Sequence, residues 1–307
     1  MVSQKIIDRF PVIYSSFLPE FFNNPIHREE LADCTACPMC LKPGESREPG
    51  RKYYSPETKC CTYYPNIPNY LVGAILSDKS PDYDEGRLRI QERIRNHIAA
   101  TPQGLLEPFD YYQRFAKKAV KGFGMNTSLL CPYYNRTNGK CSVWMIRTSV
   151  CLSFLCRTMG HEYGDDFWFA NRMYFLHLEN TLAYYALYKM DFDPLNIMNY
   201  SIKSNGDEPI PKPAGEGKKP DSMGKTYETL WEKWAGKEED LYRETFRIIA
   251  NLTPEDFDSI TDIKLTLLLK NIKKKYDIVM SPEYQRVIKF YSYEKKLLNS
   301  PGQRSVD

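Results

Sequence analysis

Apolar residues recur at helical spacing through residues 165–190 more clearly than anywhere else in the chain. Phe169, Met173, Leu176, Ala183 and Leu187 line one stripe, and Trp168, Phe175 and Leu182 line a second. A helix apolar over more than half its circumference belongs at the centre of a core. Asp165 and Asp166 are placed to begin it, where carboxylates suit the helix dipole. His177 and Asn180 on the same segment read as hydrogen-bonded core polar groups. Weaker helical patterns flank it. Ser80-Pro81 opens one with Ile90, Ile94 and His97/Ile98 on one face. Pro108 opens another with Phe109, Tyr112, Ala116 and Ala119 at helical spacing and Gly122 and Gly124 as stops. Thr253-Pro254-Glu255-Asp256 and Ser281-Pro282-Glu283 both read as N-caps with proline at the first helical position. Tyr284, Val287/Ile288, Tyr291 and Leu298 continue the second at close to the helical period.

Elsewhere the period fails. Residues 1–33 read as irregular with room for one short helix, and prolines and glycines in 34–73 forbid long regular elements. Residues 203–225, rich in Gly, Pro and charge, have almost nothing to bury and read as a flexible linker or surface loop. Asn138-Gly139 between Tyr133-Tyr134 and Val143-Trp144 predicts a β-hairpin with a two-residue turn, which draws Cys131 and Cys141 into one neighbourhood. Ser149 then caps a short apolar helix carrying Cys151 and Cys156. Five residues rotate an ideal helix by about 500°, so either the helix breaks between those cysteines or they serve different sites.

Cysteine placement is the chemical signal. The chain has nine, at Cys34, Cys37, Cys40, Cys60 and Cys61, then Cys131, Cys141, Cys151 and Cys156. Cys-x2-Cys lets one tight turn aim two sulfurs at one metal while backbone N–H groups donate to them. Cys34-x2-Cys37-x2-Cys40 extends this to three sulfurs. Three close thiolates plus a remote one, together with the Cys131-Pro132 dipeptide, suit a [4Fe–4S] cluster, whereas structural zinc usually takes two and two. Adjacent side chains generally diverge, so Cys60 and Cys61 serve two metals or one is a bystander. Buried small hydrophobes are the plain alternative for the second group.

The order of these motifs resembles the zinc- or iron-chelating family named for its CxxCxxCC signature, the YkgJ-like proteins. Residues 131–156, CPYYNRTNGKCSVWMIRTSVCLSFLC, resemble the family's downstream segment, with Arg147 where the family has Arg-Pro. The resemblance covers roughly residues 34–160. Cys40 is followed by Leu41 and the adjacent pair sits at 60–61, Thr148 follows Arg147, and Leu152 follows Cys151, so the match is to a divergent member. It implies metal binding by these cysteines. Flagellin lysine N-methylase looks like a distant member of the same group, which implies a methyl- or group-transferring enzyme as the alternative function.

Composition narrows the rest. The net charge of +3 is near neutral for 307 residues, so no strong field toward nucleic acid or membrane is expected, and Lys270, Lys273, Lys274 and Lys275 read as a solvated helix face. No apolar run reaches the roughly 18 residues of a membrane span. Asp8, Arg9 and Pro11 interrupt what a signal peptide would keep apolar, so a cytoplasmic, reducing location is expected, in which clustered cysteines bind metal more often than they form disulfides. The 23 tyrosines, many in adjacent pairs, read as core and cluster-shielding groups. His161-Glu162 does not complete a zinc-protease motif, since position 165 is Asp and Gly164 interrupts the helix, but His161 allows a mixed Cys/His site.

The expected fold is mainly α: a helical body with a small irregular cysteine-rich module containing a short β-hairpin. The module spans 1–164 with ligands from 34–61 and 131–156, the central core helix 165–202, the linker or loop 203–225 and a C-terminal helical region 226–307. The expected function is soft-metal binding by all nine cysteines, with one or two iron–sulfur clusters favoured over zinc, for electron transfer, metal handling or structure. The alternative is an enzyme with an open coordination position. A redox or protein partner is left unidentified.

Overall fold

The computed structural model describes residues 3–27, 37, 39–41, 44–47, 52–155, 158, 161–193, 227–286 and 288, with backbone only at 119–121, 145 and 161. Cys34, Cys156, the 203–225 segment, and Val287, Tyr291 and Leu298 lie outside the described residues, as does the side chain of His161.

The fold is mainly α. In chain order the helices are α1 (Asn69–Ser77), α2 (Asp84–Arg95), α3 (Phe109–Gly122), α4 (Ser149–Ser153), α5 (His161–Lys189), α6 (Tyr227–Trp231), α7 (Glu238–Ala250), α8 (Pro254–Ile260) and α9 (Ile263–Val279). Among the described residues seven very short strands accompany them: β1 (Ser3–Lys5) pairs with β2 (Pro25–His27), β5 (Gly104–Leu105) lies antiparallel between β3 (Ile67–Pro68) and β4 (Ala100–Thr101), and β6 (Tyr134–Asn135) pairs with β7 (Lys140–Cys141). No helix among the described residues is long and apolar enough to cross a membrane.

Helix α5 runs through the core, packing on α9 along one flank and on α4 and α7 along others. Phe167, Trp168, Phe175, Leu178, Leu182 and Leu187 are buried along it. Complete burial of each such side chain is worth about 1.5–3 kcal/mol. Three 3-10 turns between β1 and β2 cover one side of α5 with aromatics: Phe10 stacks on Phe175 at 3.6 Å between centroids, and Phe22 lies 5.2 Å from Tyr174. On the other side α1 lies directly against α7. A Cβ on Gly73 would sit 1.8 Å from the Tyr242 carbonyl oxygen, so only glycine allows that approach. Buried Asn69 locks the start of α1, donating to Pro102 O at 3.0 Å and Ala183 O at 3.2 Å. Thr253 and Asp256 form the expected capping box with Pro254 at the first helical position.

Several expectations are corrected. Helix α1 has no period of its own to announce it, since it is buried almost all round. Helix α2 stops at Arg95, because His97 and Ala99 take left-handed φ of 51° and 50°, which no helix continues through. In α3 the stripe at helical spacing is not the buried one: Tyr112 is 52 % exposed and Ala116 is exposed, while Tyr111 is buried and donates to Thr62 O at 3.0 Å and Leu129 O at 2.8 Å. Satisfying that phenol sets the rotation of the helix. Helix α5 begins a turn before Asp165-Asp166. Its stripe of larger buried aromatics wins the core, leaving Phe169, Met173 and Leu176 exposed. His177 is a half-buried surface partner of Asp262 at 2.8 Å, and Asn180 is exposed with its amide on Leu176 O. The lysine run is partly engaged, with Lys275 paired to Asp166 and Lys273 over the Phe21 ring.

Candidate metal centre

Three remote stretches of chain meet at the cysteines. A tight turn over Ser55–Cys60, with Thr58 N–H and Lys59 N–H both on Ser55 O, presents Cys60 and Cys61. It is sewn to the region after α3 by Ser55 N–H and Thr58 Oγ1–H on Gly124 O, at 2.7 and 2.8 Å, and by Gly124 N–H on Thr62 Oγ1 at 2.7 Å. Gly124 has φ of +77°, and a Cβ there would meet the Tyr54 ring at 2.1 Å. Met39 O accepts Tyr54 N–H, and Cys40 N–H bonds Cys37 O, which brings the first motif alongside. Cys131 N–H donates to Cys61 O at 2.8 Å, joining the second motif to the first.

The predicted hairpin forms and places Cys141 opposite Tyr134, but its connection is four residues, 136–139, not two. Gly139, with φ of +66°, closes it through its N–H on Asn135 O. Helix α4 carries Cys151 and ends at Ser153, so no regular helix continues from Cys151 toward position 156. Its N-cap is Thr148, and Ser149 is the first helical residue.

The described thiols thus share one neighbourhood. Cys37 and Cys40 are hydrogen-bonded to each other, and Cys40 feels Cys60; Cys61 feels Cys131 and Cys141, and Cys151 feels Cys141 and Cys60. Contrary to the divergence expected of adjacent residues, Cys61 donates its thiol to Cys60. That bond holds Cys60 below the usual thiol range, aided by Arg147 and Lys59, and holds Cys61 well above it. Burial pushes Cys40 and Cys151 up to about 12 each, and raises Cys131 and Cys141. Working against burial, Tyr133 N–H donates to the Cys131 sulfur and Val143 N–H to the Cys141 sulfur, each two residues on, and the Thr148 hydroxyl donates to Cys151. None of the seven described cysteines is in a disulfide.

Cations ring these sulfurs. Arg93 is 4 % exposed, donates to Tyr133 Oη at 2.5 Å, Leu106 O at 2.6 Å and Ile98 O at 3.2 Å, and bears on Cys131. Arg147 stacks over Trp144 with its carbon 3.4 Å from the ring centroid and bears on Cys60, Cys141 and Cys151. Lys59, in a left-handed conformation, donates to Gly139 O at 2.7 Å and bears on Cys60 and Cys40. Among the described residues neither Arg93 nor Arg147 has a carboxylate partner. Sequence reasoning missed Arg93 and Lys59, since a single basic residue, one in a charged helix and one beside a cysteine pair, carries no pattern of its own.

Among the described residues no three His, Cys, Asp or Glu side chains close into a coordination shell. What the structure assembles is the donor set: soft sulfurs, backbone N–H groups aimed at them, and positive charge around them. Compared with known proteins, the chain matches no family model, no curated protein and no solved structure.

Proposed function

We propose that the chain binds a soft metal through cysteine thiolates, Cys37, Cys40, Cys60, Cys61, Cys131, Cys141 and Cys151 among the described residues, with Cys34 and Cys156 completing the set. The observation that carries this is the convergence of the described cysteines, with Arg93, Arg147 and Lys59 bearing on their sulfurs. A thiolate centre keeps net negative charge around its metal, which those cations offset. The N–H donors at Cys131 and Cys141 act in the same direction, since they favour the thiolate that a metal needs.

Seven sulfurs in one neighbourhood exceed the four of a single zinc site, which favours a polynuclear iron–sulfur centre or two adjacent ones. Bound there, such a centre supplies either one-electron redox chemistry or a structural tie between the turn at Cys60-Cys61, the hairpin and α4. Buried tyrosines around it, Tyr64, Tyr111 and Tyr133, exclude water.

Anaerobic purification followed by metal, acid-labile sulfide and absorption measurements tests the reading. Iron with matching sulfide and a broad band near about 400 nm is the expected result. Zinc without sulfide keeps the thiolate site and removes the redox role. Protein with neither metal, which takes up none on reconstitution and titrates as free thiols, overturns it.

A further inference from the structure

Helix α4 is five residues long, too short to hold itself, yet it bears Cys151. Outside side chains hold both of its ends. At the start, the carboxylate of Glu179 on α5 accepts Ser149 N–H at 2.6 Å and the Ser149 hydroxyl at 2.9 Å. At the end, Arg172 Nε donates to Ser153 Oγ at 2.9 Å and Arg9 Nη2 to Leu152 O at 2.9 Å. Ser153 Oγ donates in turn to Ser149 O at 2.6 Å, closing the loop. Glu179 and Arg172 stand two turns apart on one face of α5.

Glu179 is buried, close enough to the Tyr14 and Tyr70 phenols to bear on them, and among the described residues both of its hydrogen bonds go to Ser149. A carboxyl in such a place is expensive. Fixing Ser149 fixes Thr148 on one side, whose hydroxyl donates to the Cys151 sulfur, and Cys151 itself two residues on. We infer that Glu179, seconded by Arg172, is a positioning residue that holds the Cys151 sulfur toward the metal centre; this rests on the thiolate-centre reading above. Outer partners of this kind typically change metal affinity 10- to 100-fold when removed, a range of about one to two orders of magnitude.

The test uses the full chain, stripped and reloaded with Co(II), reading affinity and the sulfur-to-cobalt charge-transfer intensity, which counts thiolates. Glu179→Ala is expected to lose about one thiolate's share of intensity and roughly 10- to 100-fold in affinity. Cys151→Ser is expected to do the same, the double variant no worse, and Glu179→Gln, whose carbonyl still accepts Ser149 N–H, to recover most of the loss. Wild-type intensity and affinity in Glu179→Ala, or losses that add in full with Cys151→Ser, overturn the inference. Should the alanine variant fail to fold, Ser149→Ala carries the test with the same two outcomes. A wild-type chain that takes up no Co(II) brings down the thiolate-centre reading and this inference with it, whereas wild-type uptake with an indifferent Glu179→Ala removes only the inference.

Discussion

At the scale of single residues, Arg93 bears the heaviest constraint near the cysteines. Its guanidinium satisfies Tyr133 Oη, Leu106 O and Ile98 O at once and lies over the Tyr64 ring at 4.8 Å. Arg93→Met strands those acceptors, so urea unfolding is expected to show a loss of about 2–4 kcal/mol. Arg93→Lys is expected to recover little, because one ammonium cannot span a fork of acceptors. A loss under about 0.5 kcal/mol would place Arg93 among ordinary surface substitutions and remove its role as counter-charge. Cysteine identity and spacing are legible in the sequence at this scale. The pairing of each sulfur with Tyr133 N–H, Val143 N–H or the Thr148 hydroxyl is not, because it depends on where loops turn.

Among the elements, the α1–α7 contact and the α4 clamp are the informative pieces. Gly73→Ala puts a methyl into the Tyr242 carbonyl, so the helices must separate or tilt. The expected cost is about 1–3 kcal/mol or somewhat more, seen as a lower Tm with helical circular dichroism retained; an unchanged Tm would mean that α1 and α7 are not packed this closely. Helix existence was readable where caps or long periods announced it, as at Thr253-Pro254 for α8 and along α5. Facing was not. Two apolar stripes competed on α5, and on α3 the apolar residues spread over more than one face, so the winner was set by Phe10, Phe22 and Leu129, which are distant in sequence. The turn after Tyr134 was located correctly and mis-sized, since Asn138-Gly139 closes a longer loop as readily as a short one.

For the whole molecule, the opposing pH dependences of folding and of metal loading are the testable consequence. Burial raises Glu179 from the usual carboxylate range to about 8, and burial raises half-buried Glu107 to about 7. The neutral acid suits the dry interior, so folding favours the proton. Stability from Glu179 is therefore fully present below the unfolded carboxylate's range near about pH 4 and is lost as pH rises through about 8. The metal-free chain is expected to lose on the order of a few kcal/mol of unfolding free energy between about pH 5 and about pH 9, and Glu179→Gln to flatten that slope; Glu107 adds little because solvent screens it. Metal loading of the proposed centre is expected to run the other way. Cys40 and Cys151 are pushed up to about 12, so loading must expel their protons and strengthens with pH. Proton release on adding Zn(II) in weak buffer measures this directly, and metal uptake without proton release would contradict ligation by these thiols.

The sequence by itself determined that the chain is mainly helical, that its centre is the long apolar helix, and that its cysteines fall into closely spaced groups, because period, caps and spacing are local properties. Tertiary structure alone decided that the Cys60-Cys61 turn, the hairpin and α4 meet at one place, that Arg93, Arg147 and Lys59 bear on it, and that Glu179 gives its hydrogen bonds to the helix bearing Cys151. The contacts that join the stretches, Glu179 to Ser149, Arg93 to Tyr133 and Cys131 to Cys61, link residues tens of positions apart and are fixed by close packing and by the need to satisfy buried polar groups.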